Sequence, residues 1–155
     1  MSRLLVSRIA WLIDFDPDPA APPVVRRDLD LLIEDGRIAA VGRGLAAPEG
    51  TEVLDASERL VLPGFVDAHR HLWLTALRAL TADSDLGAYL ELVLGRLAPR
   101  YTAEDVYTST YFGALECLDA GITTVQDFAH IIYTPEHADA AVNALTDAHI
   151  RAVFG

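Results

Sequence analysis

There is no lysine in this chain: all twelve of its basic residues are arginine. That excludes a Schiff-base nucleophile and a modified-lysine bridge between metal ions from these residues. Cysteine is nearly as scarce. Cys117, the single one, cannot close an internal disulfide, which makes a reducing cytoplasm the expected location. Positive charge is short as well, and the net charge of −11 disfavours nucleic acid and anionic membrane surfaces as partners. A long apolar run is also missing. The opening MSRLLVSRIAWLIDF is interrupted by Arg8 and soon meets Asp14. It is too short to span a membrane and lacks a small-residue cleavage site, so it reads as a first strand and predicts no membrane partner.

What the chain does have is apolar residues, 52% of 155. That is enough for a domain with a sizeable core, with a bias that parallel strands covered by helices would produce. Two textures divide it. Residues 1–62 read as all-β. Leu4 to Ile13 is one strand, and DFDPDPAAPP is a loop that cannot extend it. RDLDLLI and RIAAVG form a hairpin about Asp35-Gly36, with Leu29, Leu31 and Ile33 on its buried face. Short strands follow near Val53 and at Leu60 to Leu62. Over residues 63–155, strands alternate with helices. The strand GFVDAHRH precedes a helix over Leu86 to Leu97. A second helix starts at the N-cap Thr102, with Asp105 three residues on, and stops at Gly121. The strand ITTVQDF, a helix capped by Thr134 with Pro135 at its first position, and the strand IRAVFG complete the pattern. Strand-helix-strand-helix-strand is the start of a parallel α/β sheet.

The chemistry concentrates in LPGFVDAHRHLW, residues 62–73. Residues two apart on a strand share a face, so His69 and His71 stand side by side, about 6 to 7 Å apart at their Cα atoms. Two neutral imidazoles converging on one point suit a divalent metal. The H-x-H spacing by itself also fits a plain surface strand. Asp67 lies on the same face one layer deeper, where it can support the histidines. Arg70 faces the other way and needs a carboxylate partner or an exit to solvent. Trp73 either lines the pocket mouth or packs beneath the next helix. His130, in the loop after the second α/β strand, either meets substrate, orients a ligand or bonds to backbone. Cys117 reads as core, His137 as a solvated surface residue, and His149 as a substitute for a helix-ending glycine. Asp14, Asp16 and Asp18 alternate like a calcium loop but lack its glycine.

The run DASERLVLPGFVDAHRH, residues 55–71, resembles the entrance to the barrel of the amidohydrolase superfamily, most closely its cytosine deaminase/triazine hydrolase-like branch. AGITTVQDFAHI and DAHIRAVFG are similar to the second and third barrel strands of that branch, and the likeness spans the whole chain. It implies an α/β fold: a TIM-like (β/α)8 barrel, with about two and a half βα units in residues 63–155, preceded by a small β-sandwich-type domain over 1–62. It implies one divalent metal ion, zinc or iron, on His69 and His71, with Asp67, Trp73 and His130 as candidates to bind substrate or support the ligands. The family's other ligands and proton-transfer groups follow its fifth, sixth and eighth strands, so no catalytic residue falls within this segment. The implied activity is hydrolysis of a C–N or related bond, deaminating a small nitrogen heterocycle through a metal-activated water. The resemblance leaves room for a homo-oligomer of the whole enzyme. The alternatives are a catalytically inactive truncated fragment and a small metal-binding module. Glu58 stands where the family's D-A-x-G turn has glycine, which predicts either a turn free of positive φ or a strained one. A barrel needs about 250 residues. Ending after IRAVFG leaves a strand edge and an apolar face open, so a polypeptide of this length alone is expected to aggregate, self-associate through that edge or remain loosely packed.

Overall fold

The apolar run Leu4 to Ile13 does not form one strand. In the computed structural model, which describes residues 2–15, 18 and 20–155, it breaks into β1 (Arg3–Ile9) and β2 (Trp11–Asp14). Arg8 takes the left-handed conformation, with φ 56°. Its N–H donates to Asp30 Oδ1 at 2.8 Å. The N–H of Ala10 turns away to the Ala56 carbonyl at 3.1 Å. The two pieces therefore enter different sheets. With β3 (Val24–Arg26), β4 (Leu29–Glu34), β5 (Arg37–Gly42), β6 (Glu52–Asp55) and β7 (Leu60–Val61), they build a four-stranded sheet, β5-β4-β1-β6, and a three-stranded sheet, β3-β2-β7.

β3 escaped the sequence pattern because all three of its residues are exposed, leaving no alternation to detect. The hairpin turn is where Asp35 and Gly36 predict it, at φ 47° and 76°, the pair of positive values that a tight two-residue turn requires. The alternation along β4 is not clean. Asp30 is buried next to Leu31, because both of its oxygens accept backbone N–H groups, from Arg8 and, at 2.9 Å, from Leu45. Val6, Ile9, Leu12, Leu31 and Ala56 form the core here. Glu58 is not among the left-handed residues. Its turn closes instead through Arg59 N–H to the Ala56 carbonyl and Ser57 N–H to Asp55 Oδ1, both at 3.0 Å.

The chain divides into two compact units, Met1–Pro63 and Gly64–Gly155. In the second, β8 (Phe65–Arg70), β9 (Ile122–Asp127) and β10 (Arg151–Phe154) form a parallel sheet of order β10-β9-β8. The helix α2 (Ala103–Asp119) opens with a reciprocal capping box between Thr102 and Asp105 and is followed by Gly121 at φ 80°. Pro135 opens α3 (Pro135–Asp147), and His149 supplies the left-handed residue after it, with φ 56°. Thr134 does not cap α3 with its side chain; its hydroxyl lies 3.0 Å from His137 Nδ1 instead. The helix expected over Leu86 to Leu97 is α-helical only in α1 (Leu86–Tyr89) and widens to π geometry over Leu90–Leu97. Pro99 has no N–H to offer Gly95 and its ring crowds that carbonyl, so the ladder opens ahead of it.

Two apolar clusters fill this unit, one around Leu72, Cys117 and Val125 and one around Trp73, Val106 and Ile131. On the sheet's strands, Val66 and Val153 remain 68% and 61% exposed. Among the described residues, no helix is long and apolar enough to cross a membrane.

Candidate functional site

The carboxyl end of β8 and the segment that follows β9 meet at one carbonyl oxygen. His71 Nδ1 lies 2.7 Å from the Phe128 oxygen, and His130 Nδ1 lies 3.2 Å from the same atom. A carbonyl only accepts, so both imidazoles carry their proton on Nδ1, and a neutral ring then keeps its Nε2 lone pair free. The rings of His71 and His130 are 4.5 Å apart between centroids. His69 and His71 stand 5.1 Å apart at 87°. His69 is stacked on the Phe128 ring at 4.6 Å. The two histidines of the H-x-H pair are thus neighbours, with His71 held by a hydrogen bond and His69 by ring contact.

Asp67 is less simply placed. The β8–β9 pairing is irregular between Asp67 and Arg70, and the Asp67 carboxylate serves its own strand. Oδ1 accepts the His69 backbone N–H at 3.1 Å, and Oδ2 lies 3.5 Å from Arg70 Nη1. Arg70 thereby finds the carboxylate partner it needs. Asp67, His69, Arg70, His71, Thr75 and Arg78 line an open cavity of about 300 Å3. Trp73 does not reach it. Trp73 is fully buried, with its ring edge-on to Tyr101 at 5.3 Å and to His130 at 5.2 Å.

Two residues here were not singled out from the sequence. Asp127 is 1% exposed. Its Oδ1 accepts the Leu72 N–H at 3.0 Å, and its Oδ2 is buried with no partner among the described residues. Burial pushes this carboxyl above its ordinary range, against the opposing pull of the Leu72 N–H and of His71 and Arg70. Phe128 is the other. The available signal was positional: QDF ends its strand where DAHRH ends the preceding one, and the carboxyl ends of parallel strands are where sites collect. Burial also lowers the His130 pKa, while the Phe128 carbonyl acts to raise it.

The remaining candidates lie elsewhere in the fold. His137 is buried, not solvated, because its Nε2 donates to the Tyr101 carbonyl at 3.0 Å. Cys117 is buried core, and burial raises its thiol pKa. Asp14 pairs with Arg26 at 2.7 Å, while Asp16 lies outside the described residues. Among the described residues, no group of three or more His, Cys, Asp or Glu side chains is arranged to hold a metal ion. His69 and His71 offer two nitrogen donors of the right chemistry, and a tight zinc site takes three or four protein ligands.

Similarity to known proteins follows the same lines. The amidohydrolase family profile matches residues 60–155, more than half of the chain. The chain belongs to the amidohydrolase family. Over 125 residues this amidohydrolase chain is 40% identical to a 5-methylthioadenosine/S-adenosylhomocysteine deaminase of Symbiobacterium thermophilum, covering 79% of its own length and 27% of the relative's. It is 35% identical over 128 residues to a 5'-deoxyadenosine deaminase of Methanothrix thermoacetophila, covering 83% and 29%. The crystal structure of atrazine chlorohydrolase TrzN from Arthrobacter aurescens, complexed with zinc, superposes with a TM-score of 0.81 at 28% identity, covering 98% of this chain and 35% of that one. The chain therefore spans about a quarter to a third of the length of these relatives.

Proposed function

We propose that this chain is the N-terminal part of a metal-dependent hydrolase that deaminates a nitrogen heterocycle, with His69 and His71 as two of the ligands of a single zinc or iron ion. In this reading the parallel sheet β8, β9, β10 is the start of a TIM-like (β/α)8 barrel, and residues 1–62 belong to a β-sandwich-type domain. The observation that carries the metal assignment is the hydrogen bond from His71 Nδ1 to the Phe128 oxygen, which leaves Nε2 as the donor atom. The zinc in the atrazine chlorohydrolase structure and the deaminases among the relatives support the same reading.

Such an ion, when bound, supplies Lewis acidity and a water activated near neutral pH. This chain's own residues present the donors and shape their surroundings. Phe128 limits the rotation of His69 by stacking against it. His130, with its Nδ1 engaged, offers Nε2 as an acceptor for an N–H of a small heterocyclic substrate. Asp67 steadies the backbone of His69. The other ligands and the general acid–base groups come from elsewhere in the enzyme, so the 155-residue polypeptide by itself binds metal weakly and turns nothing over. A reducing cytoplasm suits the buried free thiol of Cys117.

The test is metal content. The intact enzyme should carry about one ion per chain, and His69→Ala or His71→Ala should each remove most of it. Full occupancy in both variants would overturn the assignment. Ammonia release from a heterocyclic amine, abolished by a chelator, is the corresponding measurement of activity.

A further inference from the structure

We infer that Asp127 and Phe128 form a positioning clamp that sets His71 in its ligand geometry before any ion arrives. The inference rests on the reading of His71 as a metal ligand. Three hydrogen bonds make the clamp. Phe128 N–H donates to the carbonyl of Arg70 at 2.8 Å. Leu72 N–H donates to Asp127 Oδ1 at 3.0 Å. His71 Nδ1–H donates to the Phe128 carbonyl at 2.7 Å. The residue before His71, the residue after it and its own ring are thus all held by one dipeptide at the end of β9.

The strand does not supply this constraint unaided. Regular pairing between β8 and β9 breaks between Asp67 and Arg70, so the ladder does not fix the direction in which residue 71 leaves the sheet. The side chain of Asp127 takes over at that point. Its own situation argues that stability is not the reason for its presence. Burying a carboxylate is expensive, and this one satisfies a single N–H while its second oxygen has no partner among the described residues. An uncharged acceptor would hold the Leu72 N–H at lower cost. A local arrangement that works against stability beside a candidate site is a mark of positioning. His69 provides the contrast: among the described residues its ring has stacking partners and no hydrogen bond, so His71 is the fixed donor and His69 the adaptable one.

The clamp is tested in the intact protein by Zn2+ or Co2+ competition titration and by 15N NMR of the imidazoles in the metal-free form. Asp127→Ala should weaken metal binding by about 10- to 100-fold and leave His71 as a mixture of tautomers. Asp127→Asn keeps an oxygen for the Leu72 N–H. It should stay within a few-fold of wild type, with His71 still protonated on Nδ1. A metal-free wild type with His71 protonated on Nε2 would overturn the clamp. So would an alanine variant with unchanged affinity, or an asparagine variant that folds and loses as much affinity as predicted for alanine. If the alanine variant does not fold, the asparagine titration and the wild-type tautomer decide. If His71→Ala leaves metal binding intact, the ligand reading fails, and the tautomer measurement still judges the clamp.

Discussion

Asp30 in the first unit and Asp127 in the second are both buried carboxylates on sheet strands, and the backbone serves them very differently. Asp30 accepts two N–H groups, from Arg8 and Leu45, and these hold its pKa below the usual carboxylate value of 3.8. Asp127 accepts one, from Leu72, and burial drives its pKa above that value. Desolvation and aimed donors together separate them: at Asp30 the backbone N–H groups outweigh a small cost of burial and make the charge an asset to the fold, while at Asp127 burial outweighs the single N–H and leaves the charge a burden. A burden of that kind is tolerated where the group performs another task.

Asparagine at each position breaks or sharpens the contrast. Asp30→Asn should have the larger effect, destabilising the protein by about 3 kcal/mol in denaturant titration. The amide serves one N–H with its oxygen and opposes the other with its NH2. The variant should also lose an acid limb. Because the folded-state pKa of Asp30 is depressed, its contribution is complete above 3.8 and disappears as pH falls below that through the lowered value. Wild-type stability should show that step and the variant should not.

A steric probe comes next. A Cβ at Gly113 of α2 would lie 2.4 Å from Thr75 Oγ1 and 3.2 Å from the Leu72 carbonyl. Gly113→Ala should therefore cost about 2 kcal/mol through overpacking and press on Leu72, whose N–H is bonded to Asp127. A melting temperature equal to wild type would show that the segment after β8 yields more easily than its packing suggests. Asp127→Asn should have the smallest effect, under about 1 kcal/mol in either direction at neutral pH, since the Leu72 bond survives and the buried charge is removed. The sign of its pH dependence is opposite to that at Asp30. The raised pKa means that ionised Asp127 opposes folding as pH rises above 3.8, so the variant should gain on wild type over that range.

The features legible in the sequence were those fixed by near neighbours. Thr102 and Asp105 make a capping box within one turn. Asp35-Gly36 bends its own hairpin, and His149 takes the left-handed conformation after α3. His69 and His71 come together because only one residue parts them, although β8 ends at Arg70 and His71 lies just past it. The features that escaped are decided by distant partners. The break after β1 depends on Asp30, 22 residues from Arg8. The burial of His137 depends on a carbonyl 36 residues away. Asp127 and Phe128 acquire meaning only beside Leu72 and His71, 55 and 57 residues back. Periodicity and propensity do not carry that information.

His137 has a consequence for how the second unit folds. Its ring bonds the Tyr101 carbonyl just ahead of α2 and contacts the Thr134 hydroxyl just ahead of α3, so one imidazole fastens the starts of two helices. The chain between them must fold back before that fastening can close, and the entropy of closing such a loop is lost before the bond is gained. A contact of this kind forms after the rate-limiting step when the helices dock first. It then acts on the lifetime of the folded state, not on the speed of reaching it. His137 serves as a latch: its removal should chiefly raise the unfolding rate, leaving the refolding limb of the chevron close to where it was.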